Sequence, residues 1–538
     1  MAGPLGFARR LGANASHAAR RAIARAVLPR DRGFWLRVRL GPGLGEQRGP
    51  AWLPGRDGLQ SLYDVLATLA AAARDPRVDG VLLELAGGPG DFSQALAVRR
   101  AVLDVRERGR PVVAWGATLG AEELLVASAA TRVFLPETGS VFFVGLRLEG
   151  LYLADLLDGF GIRPEVVRIG EYKTAAETFV RRDMSPEQRE QLEALLEDRF
   201  ADLVDAIAAG RGLAPDAVRG LADRGPYPAR AAVEAGLADG CLYPDELEHA
   251  LEALAGVPPP ERPGPRRTRF VEAPVYFALH ASDPGWRPWL RDLPRVAYVV
   301  AEGAIHRGAG LRGIACDSYR ALLEHLSRDP GVCGVVVRVA SPGGDGLASD
   351  LLHRALRGLR REKPVVVSMG EVAASGGYYL AAGADAVLAE SATVTGSIGV
   401  VGGKLNLAGL YERFGIARDA VERGARAGML SETRGFTPGE RSALRREMES
   451  VYETFLARVA EGRSLSREAV AKVAGGRVFS GARAARLGLV DRLGGPLEAL
   501  AEVRRRAGLA PDERVLVEVY PRAPRLPGLA ALLGLLAR

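Results

Sequence analysis

Ser375 sits in the run Ala373-Ala374-Ser375-Gly376-Gly377, where a strand-like segment (PVVVSM, 364–369) gives way to a helix-like one, YYLAAGA. Small neighbours there let a substrate backbone approach, and free N–H groups at a helix start can hold developing negative charge. A second glycine turn, Ala340-Ser341-Pro342-Gly343-Gly344, follows another strand-like run and could supply a further N–H. A hydroxyl plus two backbone donors is what acyl transfer through an oxyanion requires. The same composition also suits an ordinary loop in which serine is merely small. Such a nucleophile needs a base. No histidine follows Ser375, so a Ser…His…Asp order is excluded, although His306, His325 and His353 lie upstream. What remains is a serine–lysine pair, one of the convergent variants of the triad.

Lysine is scarce in this chain. Of 72 basic side chains only Lys173, Lys363, Lys404 and Lys472 are lysine, the rest being arginine. Lys173 lies in Gly170-Glu171-Tyr172-Lys173-Thr174-Ala175-Ala176-Glu177. Arginine would serve for charge alone, but its pKa keeps it from acting as a general base. A desolvated lysine can fall several units from about 10.4. A lysine is equally at home on a surface, and physics alone leaves both readings of Lys173 open.

An internal repeat separates the two candidates. Arg74-Asp75-Pro76 recurs as Arg328-Asp329-Pro330, 254 positions later, and the same offset relates Gly80 to Gly334, Gly90 to Gly344, Gly116 to Gly370 and Gly145 to Gly399. It also relates Phe160-Gly161-Ile162 to Phe414-Gly415-Ile416, and Gly170 to Gly424. So many glycines at one offset indicate a tandem duplication. The partner of Ser375 is Ala121, and the partner of Lys173 is Ala427. Each half keeps a polar group that the other lacks.

The elements that must position these residues alternate within each half. Short apolar runs (295–301, 332–340, 364–369) read as strands buried on both faces, and helical patterns (318–328, 349–361) separate them. Strand, helix, strand in alternation implies right-handed βαβ units, so the fold class is α/β, twice. A long charged helix is expected in each half, at 186–209 and 438–461, facing solvent or a subunit contact. Prolines 258, 259, 260, 263 and 265 mark a linker between the halves. The expected plan is a basic extension (1–33), a first unit carrying the lysine (34–256), a linker (257–293), a second unit carrying the serine (294–520), and a short apolar tail (521–538).

Composition narrows the classes of function. Apolar residues make up 48% and charged residues 25%, ordinary for a globular protein. The net charge of +7 is small for the length, and no basic run interleaved with aromatics suggests a nucleic-acid partner. Three cysteines without C-x-x-C spacing exclude a disulfide framework and a cysteine-rich zinc site, and the six histidines show no ligand spacing. No run is long and apolar enough for a transmembrane helix, and the arginine-rich first 30 residues make a poor secretory signal. They suit either a basic amphipathic helix touching a membrane surface or a frayed extension.

Taken together, SPGG (341–344), MGEVAASGGYYLA (369–381), TGSIGV (395–400), GEYKTAAETF (170–179) and VFSGARAARLGLVD (478–491) closely resemble the long, duplicated form of the bacterial signal peptide peptidase SppA, or protease IV, family. The likeness covers roughly residues 35 to 500. It implies two ClpP/crotonase-like units and a serine peptidase whose Ser–Lys dyad is split between them. By motif position Ser375 is then the nucleophile, Lys173 the general base, and Ser397 the residue that orients the lysine. The N–H groups of Gly344 and Gly376 form the oxyanion hole. The substrates so implied are released signal peptides and other hydrophobic peptides, the assembly a homotetrameric bowl, and neither cofactor nor metal is implied.

Two departures stand out. The family's usual N-terminal membrane span is missing, so its implied membrane association meets a chain with no span or signal, and a cytoplasmic location stays open. Ala340 stands where relatives often have asparagine. A crotonase-type acyl-CoA enzyme shares the fold and an oxyanion hole but has no need of a split Ser–Lys pair. A non-catalytic scaffold would have no reason to keep both residues.

Overall fold

In the computed structural model of this chain, residues 4–28, 33–42, 44–47, 61–88, 90–254, 268–281, 292–510 and 513–521 are described. Two largely parallel sheets carry the architecture. The first runs Phe270–Glu272, Phe34–Leu40, Val78–Leu85, Val112–Trp115, Arg132–Leu135, Gly240–Cys241, with every neighbouring pair parallel. The second runs Val478–Ser480, Val394–Gly396, Val365–Ala374, Val332–Ser341, Arg295–Glu302, Leu516–Tyr520, and Ala386–Ala389 branches from Val365–Ala374. Within it only Val394–Gly396 and Val478–Ser480 pair antiparallel. The duplication read from the glycines is thus two α/β units.

Val332–Ser341 (VCGVVVRVAS) illustrates why these strands form. Its β-branched run is buried on both faces, as a central strand of a parallel sheet must be. On one face Leu352, Leu356 and Leu359 of helix Gly346–Glu362 join Leu323 and Leu326 of helix Cys316–Arg328 in the core. The strand's one charge, Arg338, is fully buried. It donates to both carboxylate oxygens of Glu46 (2.6 and 3.0 Å) and to Ser368 Oγ at 3.0 Å. Glu46 belongs to the first unit, so the pair ties the units together. Losing one partner of a buried pair typically costs about 3–5 kcal/mol.

The three expected strands are present, and the third runs on to Ala374, directly before Ser375. The long charged helices span Pro186–Arg211 and Pro438–Arg463. The first does not simply face solvent: Asp198 accepts from Ser480 Oγ (2.5 Å) and Arg483 Nε (2.6 Å) of the second unit. The segment expected to be a linker is also partly built into the fold. Phe270–Glu272 adds to the first sheet with Phe270 opposite Trp35, because the apolar residues after the prolines can pair and bury. Helix Pro4–Val27 of the basic extension packs against the turn Phe277–Ala281. Residues 257–267 and 282–291 of the linker, and 522–538 of the apolar tail, lie outside the described residues.

One strand pair matters most for the site. Arg163–Ile169 of the first unit pairs antiparallel with Val400–Asn406 of the second, from Arg163 opposite Asn406 to Ile169 opposite Val400. This crossing carries the loop that follows, residues 170–176, over to the second unit.

Candidate active site

Strand Val365–Ala374 ends at Ser375, which precedes helix Gly376–Ala381. Ser375 has φ 54° and ψ −118°, a sparsely populated conformation for a residue with a side chain. Its surroundings hold it there. Its N–H donates to Gly396 O at 2.9 Å, and Gly343 of the turn 341–344 packs against it so closely that only glycine fits. A Cβ on Gly343 would lie 2.7 Å from Gly376 N and 2.8 Å from Ser375 Cβ.

Lys173 arrives from the crossing strand and is 5% exposed. Its Nζ lies 3.0 Å from Ser375 Oγ, 2.9 Å from Ser397 Oγ and 2.9 Å from Ser397 O. Burial, with no carboxylate to offset it, pulls its pKa down from 10.5 to about 8. Ser397 also holds a positive φ, 52°, and its N–H donates to Arg477 O at 2.7 Å. The structure therefore brings Ser375, Lys173 and Ser397 within hydrogen-bonding distance.

Gly344 and Gly376 lie on the two turns that meet at Ser375. The N–H of Gly376 starts a helix, where no intrahelical acceptor exists. Among the described residues neither this N–H nor that of Gly344 has a hydrogen-bond acceptor. Ile305 fixes the turn: its N–H donates to Gly343 O (2.9 Å) and its carbonyl accepts from Asp345 N (3.0 Å). Two free donors beside a hydroxyl can receive the charge of a tetrahedral intermediate.

Several positioning residues were missed from the sequence. Gly475 and Gly476 form the floor under the lysine loop: Tyr172 N donates to Gly475 O (2.9 Å), and a Cβ on Gly476 would lie 2.5 Å from Lys173 N. The Gly-Gly dipeptide was the available signal. Gln191, buried in helix Pro186–Arg211, donates to Thr174 Oγ1 (2.8 Å) and accepts from Val478 N (3.1 Å). It ties the lysine loop to the serine-bearing sheet, and nothing in its charged surroundings marked it out. A mainly apolar cavity of about 310 Å³ opens beside Ser397, lined among others by Leu148, Tyr172, Gln191, Leu195, Val394 and Val478.

The first unit's counterpart of this turn is closed. Helix Ala121–Ala127 begins where Ser375 would stand, and the carboxylate of Glu123 accepts from Gly120 N at 3.1 Å. The upstream histidines do not join the dyad. His306 bonds to Arg307 O and Arg312 O, while His353 is buried against Tyr379, its pKa pushed down to about 4 by desolvation. Among the described residues no group of three His, Cys, Asp or Glu could hold a metal ion. Among them, too, no helix is long and apolar enough to cross a membrane.

Comparison with known proteins gives a consistent likeness. Residues 104–258 and 357–510 each match the profile of Peptidase family S49. The chain is 31% identical over 484 residues to the chloroplastic serine protease SPPA of Arabidopsis thaliana, covering 88% of this chain and 70% of that protein. It is 30% identical over 460 residues to Protease 4 of Salmonella typhi, covering 84% and 72%. Among solved structures, a ClpP1 mutant from Listeria monocytogenes aligns with a TM-score of 0.27 at 15% identity, over 38% of this chain and 94% of that one.

Proposed function

This chain belongs to peptidase family S49 and is a serine peptidase, and on that premise we propose that Ser375 is its nucleophile and Lys173 its general base. The observation that carries this reading is the 3.0 Å approach of Lys173 Nζ to Ser375 Oγ, across 202 residues of sequence, with no other base hydrogen-bonded to Ser375 Oγ among the described residues. The neutral amine takes the serine proton as Oγ attacks the scissile carbonyl. The resulting ammonium then returns a proton to the leaving amine. Ser397, bonded to Nζ through both side chain and carbonyl, keeps the lone pair aimed at Oγ. The N–H groups of Gly344 and Gly376 receive the oxyanion. Water then attacks the acyl-enzyme, with Lys173 again as base.

The substrate we infer is a peptide with apolar segments, including released signal peptides. The apolar lining of the cavity beside Ser397 supports this reading. For the basic helix Pro4–Val27 we infer contact with a membrane surface, since its arginines match anionic headgroups. A fluorophosphonate probe tests the nucleophile. It should label the wild-type chain at Ser375 and leave a folded Ser375→Ala chain unlabelled. Equal labelling of both would remove Ser375 from the mechanism.

A further inference from the structure

Ile305 stands behind both candidate oxyanion donors. Besides its backbone bonds to Gly343 and Asp345, an added Cβ on Gly344 would lie 2.0 Å from Ile305 O, and one on Gly376 would lie 3.2 Å from Ile305 Cδ1. Where Ile305 sits therefore sets where the Gly344 N–H points. Ile305 also opens a loop that returns to it. Ile305 and His306 pair with Ile314 and Ala315, and Ile314 N donates to Ala304 O at 2.9 Å. Between these anchors runs Arg307-Gly308-Ala309-Gly310-Leu311-Arg312-Gly313, exposed from 309 to 312 and too rich in glycine to be stiff by itself. Helix Cys316–Arg328 steadies its middle, where Asp317 N donates to Gly308 O (3.0 Å) and Ser318 Oγ accepts from Gly310 N (3.2 Å).

One side chain closes the two ends of this loop. His306 Nδ1 lies 2.9 Å from Arg307 O, and Nε2 lies 2.8 Å from Arg312 O. A carbonyl oxygen only accepts, so both bonds exist together only when both ring nitrogens carry hydrogen, as in the imidazolium. A neutral ring keeps one bond and turns a lone pair toward the other carbonyl. The carbonyls of Arg312 and Arg307 accordingly hold the His306 pKa above its ordinary 6.5. The charged groups on the loop and beside it are engaged elsewhere. Arg307 pairs with Asp345 (2.9 Å), Arg320 with Asp317 (3.6 Å), and Glu302 faces Glu46, while Arg312 offers the ring its carbonyl. Among the described residues no carboxylate bonds the ring. The clasp is therefore complete in acid and opens as pH rises through the raised value.

We propose that His306, as the imidazolium, is a positioning residue for the oxyanion hole: by tying Arg307 O to Arg312 O it closes the loop that seats Ile305 against Gly344 and Gly376. It touches no reacting atom, and its role rests on reading those two N–H groups as the oxyanion donors. Arg307 links the clasp to the same turn a second time. Its carbonyl accepts from the ring while its guanidinium holds Asp345, which follows Gly344 and caps helix Gly346–Glu362 through Ala348 N. Loss of the ring proton releases one end of the loop. The Gly344 N–H then drifts from the place the oxyanion will occupy, which weakens transition-state stabilisation and spares ground-state binding. His306 and Lys173 thus act in opposite senses, one while it keeps its proton and the other once it has lost its own.

The test compares full-length wild type, His306→Ala and His306→Arg. At pH 6 the alanine variant should lose about 10-fold in kcat with KM little changed, as for a small displacement of a stabilising group. Arginine stays charged and its planar fork donates in two directions, so His306→Arg should stay near the wild-type rate. Below pH 8 the neutral fraction of Lys173 grows about tenfold per pH unit. Both variants lack the titrating ring, so their kcat/KM should follow that full rise. The wild type should rise less steeply and converge on the alanine variant as its clasp opens. A peptide aldehyde provides the second readout. Ser375 Oγ adds to its carbonyl carbon, the serine proton passes to Lys173, and the former carbonyl oxygen enters the hole. It should bind the wild type more tightly than the matching alcohol does, and His306→Ala should shrink that preference about 10-fold at pH 6. A wild type with no aldehyde preference would remove the reading of the site, and the role of His306 with it. With the preference present, a wild-type pH profile parallel to that of His306→Ala overturns the proposal. So does an alanine variant that keeps both kcat and the aldehyde preference and loses only thermal stability.

Discussion

At the scale of single residues, the proposed chemistry rests on a lysine that burial has made less basic. With its pKa near 8, roughly a tenth of Lys173 is neutral at pH 7, and the neutral fraction grows as pH rises. We therefore expect kcat/KM to rise with pH and level off above about 8. Lys173→Arg keeps the charge but cannot accept a proton, so it should be as inactive as Lys173→Ala. Substantial activity in the arginine variant would show that only a cation is needed. Ser375→Ala should fold normally and lose about 10³-fold or more of peptide hydrolysis, because the turn persists but the attacking oxygen is gone. The scarcity of lysine was a useful guide, and the other lysines explain why. Lys363 donates to Leu326 O, and Lys404 to Met429 O and Ser431 O, so both serve as compact ammonium groups among backbone carbonyls. Lys173 differs from them in facing two hydroxyls as well as a carbonyl.

At the scale of elements, the site depends on loops held against each other by groups that do no chemistry. Gln191 is the clearest case, since one side chain bonds both the lysine loop and the strand Val478–Ser480. Gln191→Leu keeps the volume and removes both bonds. We expect kcat to fall about 10- to 100-fold with KM little changed, as for a small misplacement of a catalytic group. Water reaching a loosened Lys173 should also move the midpoint of the rate–pH profile upward from about 8. Gln191→Glu, which still accepts from Val478 N, should retain more activity. A variant that loses only thermal stability, with kcat and midpoint intact, would reduce Gln191 to a packing residue. The strands and their turns were legible in the sequence because β-branched runs and Gly-Gly pairs carry local signals. Gln191 was not, because a glutamine in a charged helix looks like solvated surface until its partners are known.

At the scale of the whole molecule, duplication has allowed the two halves to specialise. Lys173 and Ser375 meet within one chain, so a mixture of inactive chains should not repair itself. Co-expressed Ser375→Ala and Lys173→Ala chains, purified as mixed oligomers, should stay inactive. Recovery of about a quarter of wild-type activity would show that the lysine comes from a neighbouring chain, since random mixing completes that fraction of interchain pairs. The first unit's closed turn, with Ala121 and the inward Glu123 carboxylate, fits this division of labour.

The residue types alone determined a good deal: two α/β units, a serine on a glycine turn with no histidine after it, and a lysine where arginine was the habit. These are local facts, written in periodicity, turn composition and the choice of a side chain that can lose its proton. The meeting of Lys173 with Ser375 was decided by the tertiary structure. It requires the antiparallel pairing of 163–169 with 400–406, the floor formed by Gly475 and Gly476, and the bridge through Gln191. Each joins segments more than 200 residues apart or depends on one that does. Short-range patterning encodes which elements form, but it cannot say which strand edges are left free to find each other. That is set by how the two cores pack, and packing alone removes the water that would otherwise hold the lysine protonated.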